Sequence, residues 1–217
     1  GVVETLLGAG AQIEATTKNG YTALMGASKE GHQGVVEALL RAGVQIDAAN
    51  RKGGTALMDA SHQGHQGVVE ALLRAGAETE AANKDRVTAL MEASHQGHQG
   101  VVEVLLRAGA QVEAATKDGD TALIVASLQG HQGVVETLLR AGAQTEAANE
   151  LGGTALMAAS LEGHQGVVET LLRAGAQTEA ADKDGDTALM IASGGGHQGV
   201  VEQLLKAGAQ TETATEH

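Results

Sequence analysis

The chain has 217 residues, a formal net charge of −13, and no Cys, Pro, Phe or Trp. Its one aromatic residue is Tyr21, so apolar mass must come from Leu, Val, Ala and Met, which suit thin packing between helices better than a single large core. The negative balance argues against a nucleic-acid or anionic-membrane surface, since each needs clustered Lys and Arg. Without Cys there is neither a disulfide framework nor thiol chemistry. No apolar run approaches the roughly 20 residues of a spanning helix, and GVVETLLGAG lacks the organisation of a signal peptide. A cytoplasmic, or more broadly intracellular, protein is the expectation.

The stretch GHQGVVETLLRAGAQTEAA at positions 130–148 returns unchanged at 163–181, 33 residues later. Alignment on TAL gives six full copies without insertions, at 17–49, 50–82, 83–115, 116–148, 149–181 and 182–214. A half copy precedes them at 1–16 and a short tail follows at 215–217, so 1–217 reads as one array. Each copy runs in the same order: first helix, second helix, turn. In the fourth, Thr121 caps a first helix in TALIVAS, which stops at Gly130. A second helix follows over 132–141 and ends at Gly142; AGAQTEAANELGG, rich in Gly and Asn, then turns into the next copy.

At 100° per residue, Leu123, Ala126 and Ser127 share one side of the first helix, while Val125, Leu128 and Gln129 point the opposite way. On the second helix Val134, Val135, Leu138 and Leu139 share a side, and Glu136, Thr137 and Arg140 face out. A copy of this size cannot bury its apolar side alone, so neighbours must stack and share it.

The 33-residue period, the xGxTALM start, the GH before the second helix (Gly64–His65, Gly97–His98), VVExLL and the AGA turn together resemble the ankyrin repeat over essentially the whole chain. The resemblance implies an all-α solenoid of stacked helix-turn-helix units with projecting hairpins, whose first helices and hairpin tips line a concave surface. It also implies a protein-binding function. The chain departs from the family in reading TALM or TALI for TPLH and GAQTEA for GADVNA. The hydrogen bonds of the TPLH histidine are therefore lost. Gly34, Gly67 and their counterparts fall in the first turn of the second helix, where Gly costs about 0.5–1 kcal/mol relative to Ala.

Differences between copies concentrate in two sets of columns. One is the hairpin tip, including Tyr21, Lys52, Arg86, Asp120, Leu151 and Asp186; the other is the outward side of the first helix, including Lys29, Asp59, His62, Glu92, His95, Val125, Leu128, Leu161 and Ile191. In the ankyrin architecture both sets form one concave strip, which is the expected partner-binding surface. Along it, tips rich in Lys and Arg in the first three copies give way to Asp118, Asp120, Glu150, Asp182, Asp184 and Asp186. The helical positions likewise turn apolar at Val125, Leu128, Ala158, Leu161 and Ile191, predicting a patch across three copies. Apart from Lys206 in place of Arg, the second helix differs only at Ala38, Ala71, Val104, Thr137, Thr170 and Gln203, and its Glu/Arg pairs, such as Glu136/Arg140, recur at i, i+4 with Glu202/Lys206 alongside.

Several chemical motifs read as structural. His62-Gln-Gly-His65 and His95-Gln-Gly-His98 have a metal-like spacing, but His65 and His98 belong to a column present in every full copy, and zinc needs about four ligands. Ser127 and His131 recur together, so they make a poor catalytic pair; Ser bonding back to a helix carbonyl is the simpler account. GGGHQG at 194–199 follows a helix rather than a strand, unlike a nucleotide-binding loop. The Met25, Met58, Met91, Met157 and Met190 column reads as gap filler. The expectation is a non-enzymatic module without metal or cofactor that binds a protein or peptide. The alternative is a structural spacer, or an engineered-like scaffold that self-associates end to end through uncapped terminal copies.

Overall fold

The computed structural model describes residues 12–209. Most of the half copy at 1–16, and the tail at 215–217, lie outside the described residues. The chain divides into two compact units, Gly1–Gln111 and Val112–His217. The N-terminal unit holds α1 (Ala23–Lys29), α2 (Gln33–Arg41), α3 (Ala56–Gln63), α4 (Gln66–Arg74), α5 (Ala89–Gln96) and α6 (Gln99–Arg107). The C-terminal unit holds α7 (Ala122–Leu128), α8 (Gln132–Arg140), α9 (Ala155–Leu161), α10 (Gln165–Arg173), α11 (Ala188–Gly194) and α12 (Gln198–Lys206). Among the described residues all regular structure is helical, and no helix is long and apolar enough to cross a membrane.

Every first helix starts at a threonine in extended conformation whose Oγ1 accepts from an N–H three residues on, as Thr121 does from Ile124 at 3.4 Å. Within each unit first helices pack on first helices and second helices on second helices, while each pair also packs internally. The seam between them is aliphatic: Leu57, Ala60, Val69 and Leu72 in the N-terminal unit, and Leu156, Ala159, Val168 and Leu171 in the C-terminal unit, are sealed from solvent. Small Ala residues let the helices approach closely enough that Leu and Val fill the space without aromatics.

Three polar ties join consecutive copies. The GH histidine reaches back to the end of the preceding first helix, as in His98 Nε2 to His62 O at 3.0 Å and His164 Nε2 to Leu128 O at 3.0 Å. Gly64, which caps the end of α3, has φ +77, and a Cβ there would meet the His98 ring at 2.6 Å, so both backbone and space require glycine. A carboxylate in each turn accepts from the next turn's backbone, as Glu80 Oε1 does from the Gln111 N–H and Glu146 Oε1 from the Gln177 N–H. Hairpin tips bond directly, Lys84 N–H to Lys52 O at 2.9 Å and Lys183 N–H to Leu151 O at 2.9 Å. The second-helix glycines also gain an account: a Cβ on Gly67 would meet Gln33 Oε1 at 2.5 Å, while the Gln33 amide donates to Glu37.

Three local expectations change. Ala71, Val104, Thr137 and Thr170 are buried rather than outward, because each second helix has a neighbour on its flank that a wheel for one helix omits. Glu136 accepts from Gln132 at 3.0 Å, and Glu70 and Glu103 from the corresponding glutamines, whereas the Glu–Arg ion pair closes at Glu169–Arg173, 3.3 Å. Serine back-bonding occurs at Ser193, whose Oγ donates to Leu189 O at 2.7 Å. The hydroxyls of Ser28, Ser61, Ser94, Ser127 and Ser160 are buried without a hydrogen-bond partner.

Two substitutions read these features separately in urea unfolding followed by circular dichroism. Ser94→Ala removes an unsatisfied hydroxyl and raises stability by about 1 kcal/mol. His98→Ala cuts a tie between copies and lowers it by about 1 kcal/mol.

Candidate binding surfaces

In the C-terminal unit the columns that differ between copies line one groove. A cavity of about 260 Å3 is bounded by Val125 and Leu128 on α7, Ala158 and Leu161 on α9, and Ile191 on α11, with Ile124 and Met157 beside them. Asp120, Asn149, Leu151, Gly153, Thr154 and Asp182 close it from the hairpin side. The threonine caps set this arrangement. Val125 and Leu128 lie four and seven residues after Thr121, on the flank opposite the sealed Leu123 and Ala126. Leu151 and Leu161 are 72% and 52% exposed, unusual for large aliphatic side chains flanking a cavity.

The hairpin wall is held rigidly. Asn149 Oδ1 accepts from the N–H groups of Leu151 and Gly153 at 3.0 and 2.9 Å, and its Nδ2 donates to Asp120 Oδ1 at 2.9 Å. Asp182 Oδ1 holds the next tip in the same way, through Asp184 N–H and Asp186 N–H. Asp186 is exposed beyond the lining. Asp182 was read from the sequence as one of the acidic tip residues, but Asn149 was not among the sequence-derived surface residues, because Asn in that column signals only turn closure. The small residues Gly153 and Ala158 in two variable columns were the available sign of a hollow there.

The N-terminal unit has a polar counterpart. A cavity of about 290 Å3 is lined by Lys29, Asn50, Lys52, Gly54, Met58, Asp59, His62, Gln63, Asn83 and Glu92. Tyr21 Oη donates to Asp59 Oδ1 at 3.4 Å. His62 Nδ1 lies 2.8 Å from Glu92 Oε2, while Gln96 Nε2 lies 3.4 Å from His62 Nε2 and 3.1 Å from His95 Nδ1. His62 Nδ1 is the donor to the Glu92 carboxylate, and Gln96 Nε2 is nearly equidistant from the two ring nitrogens, at 3.5 and 3.4 Å. His62 thus faces Glu92 while His65 reaches back to Lys29 O, so the two histidines of the HQGH sequence diverge. Among the described residues no three His, Asp or Glu side chains converge as a metal site needs.

Arg86 and His95 lie outside that cavity and are exposed. Arg86 has φ +63 in the column where Gly20 and Gly53 have φ +79 and +85, so this tip carries a side chain in a conformation that favours glycine.

Asp59 is the perturbed group of this surface. Burial pushes its carboxyl up to about 6, against the Tyr21 hydrogen bond and the positive charge of Lys29, and the charge of Glu92 adds to the rise. Asp59 Oδ2 is buried without a hydrogen-bond partner. The Tyr21 phenol is also pushed up, by burial first and by the Asp59 charge second.

The family model described as "Ankyrin repeats (3 copies)" matches residues 1–83, 75–149 and 143–215. The chain belongs to the ankyrin-repeat family. No curated protein matches it. Ankyrin repeats generally act as protein–protein interaction modules and are typically non-enzymatic. In this ankyrin chain the column of the missing TPLH histidine is filled by Met25, Met58, Met91, Ile124 and Met157, all buried, and by Met190, which is 38% exposed. The ties to neighbouring repeats run instead through the GH histidines.

Asp59 gives this ankyrin surface a pH dependence of definite sign. Its folded value lies above the ordinary 3.8, so its stabilising contribution is complete below that value and is lost as pH rises to about 6. Asp59→Asn keeps an acceptor for Tyr21 and removes the loss. Thermal midpoints across this range show a smaller decline for the variant, which is the more stable protein at neutral pH.

Proposed function

We propose that the protein is a non-enzymatic binding module whose C-terminal unit grips one protein or peptide in the groove between its hairpins and first helices. The supporting observation is convergence. Two variable columns, far apart in sequence, meet around a single hollow with Val125, Leu128, Leu161 and Ile191 on the helix side and Leu151 on the hairpin side. The exposed second-helix positions stay nearly constant, as a scaffold requires. Tyr21, Lys29, Lys52, Asp59, His62, Arg86, Glu92 and His95 give the N-terminal unit a polar recognition surface of its own. Asp120 and Asp186 give the C-terminal one an acidic side. Apolar anchors in a hollow supply affinity, while charges around it set orientation.

A second reading, self-association, draws on Met190 and Leu205, which are 38% and 42% exposed at the last helix pair. Light scattering at rising concentration separates the two, since association through that face gives a mass that grows with concentration.

The binding reading is tested with phage-displayed random peptides selected on the intact protein. Clones bind the intact chain and lose binding to Leu128→Asp/Leu161→Asp, while the variant keeps its circular dichroism spectrum. Clones that bind the double variant equally well would place recognition elsewhere.

A further inference from the structure

The groove of the C-terminal unit is made by subtraction. Across the copies, the residue before the capping threonine is Tyr21, Gly54, Val87, Asp120, Gly153 and Asp186; the residue four after that threonine is Gly26, Asp59, Glu92, Val125, Ala158 and Ile191. In the C-terminal unit both columns fall to their smallest member in the same copy, at Gly153 and Ala158. The copies on either side keep Asp120 with Val125, and Asp186 with Ile191. The missing side-chain volume lies between two retained walls, and the resulting cavity of about 260 Å3 is a concave site with room for a bulky aliphatic or aromatic side chain rather than a flat contact.

Charge on the lining of the hollow has one sign. Among the described residues, the charged side chains lining it are Asp120 and Asp182. The surrounding tips add Asp118, Glu150, Asp184 and Asp186 against Lys117 and Lys183, and Glu162 follows Leu161 on the helix side. Carboxylates beside an apolar hollow with low-dielectric walls attract a cation at its mouth and repel an anion, and the effect weakens with salt. Asp120 and Asp182 both stand on the hairpin side, so the attraction is one-sided. An occupant whose apolar side chain enters the hollow meets carboxylate within one or two residues, given about 3.3 Å per residue of extended chain.

We propose that this groove takes one Leu, Met or Phe side chain from a peptide segment that carries Lys or Arg within two residues of it. This rests on the reading of the groove as the binding site and adds the chemistry of what it binds. Leu151 and Leu161 fold against the flanks of the inserted residue, and the acidic hairpin side sets the direction of the segment.

The test measures binding of the full chain to pools of short synthetic peptides. Pools have Leu or Phe fixed at the centre and Lys or Arg, Asp or Glu, or Ser or Gln beside it, with a central-Ala pool for each. The cationic pool binds about tenfold more tightly than the acidic pool at low salt, and the ratio shrinks as salt is added. Its central-Ala version loses binding. Ala158→Ile, which puts at 158 the side chain already present at 191, abolishes binding with the helical spectrum unchanged. Leu161→Gln, at a position 52% exposed, weakens binding in the same direction without a demand on folding. Asp120→Asn/Asp182→Asn, which puts at 182 the amide already present at Asn149, removes the preference for the cationic pool over the neutral one.

Equal binding of acidic and cationic pools overturns the charge inference and leaves the groove reading standing. Binding that ignores the central residue, or survives both Ala158→Ile and Leu161→Gln, overturns the groove reading as well.

Discussion

A helix pair of this chain has an apolar side that it cannot cover by itself, and side-by-side packing of one copy on the next is what covers it. Leu156, Ala159, Val168 and Leu171 are sealed because helices of neighbouring copies lie against them. The polar ties follow from that packing. A histidine ring can reach the carbonyl end of the preceding copy's first helix only when the copies already touch, and the glycine that ends that helix must carry no Cβ for the ring to fit. Hydrophobic burial sets the spacing, and the His, Glu and hairpin bonds hold the register.

That constraint explains why so few positions differ. A side chain facing a neighbour must fit two copies at once, and changes there stay small, as between Ala71, Val104, Thr137 and Thr170. The hairpin tips and the outward side of the first helices carry no such obligation. The two units use this freedom differently. In the N-terminal unit the varied side chains satisfy one another, Tyr21 with Asp59 and His62 with Glu92 and Gln96. In the C-terminal unit they are apolar and leave a hollow at Gly153 and Ala158. The first arrangement presents an organised polar surface with one strained member, Asp59, and the second presents a vacancy for an apolar side chain.

Much of this was legible from residue order alone. The period of 33, the threonine caps, the two helices per copy and the varied columns all come from local chemistry repeated often enough to remove ambiguity. Helical periodicity pointed Val125 and Leu128 away from the packed side, the ankyrin resemblance implied that they share a surface with Leu161 and Ile191, and the four line one cavity. Thr137 was misplaced for the same reason that the others were placed correctly. A helical wheel knows one helix, and a residue outward from its own pair is inward if another pair stands beside it. The turn glutamates, such as Glu80 and Glu146, carried no signal of a tie in the sequence, because the N–H groups they accept from lie 31 residues further along the chain.

The sequence by itself determined the repeat, its helices and caps, and which side chains are free to differ. Only the tertiary structure decided that the second-helix column is buried, that His65 and His98 tie one copy to another, and that Gly153 and Ala158 open a cavity rather than merely lacking side chains. Each of these depends on distances between residues more than 30 positions apart. Periodicity reports the direction a side chain takes from its own helix axis, whereas packing decides what stands in that direction.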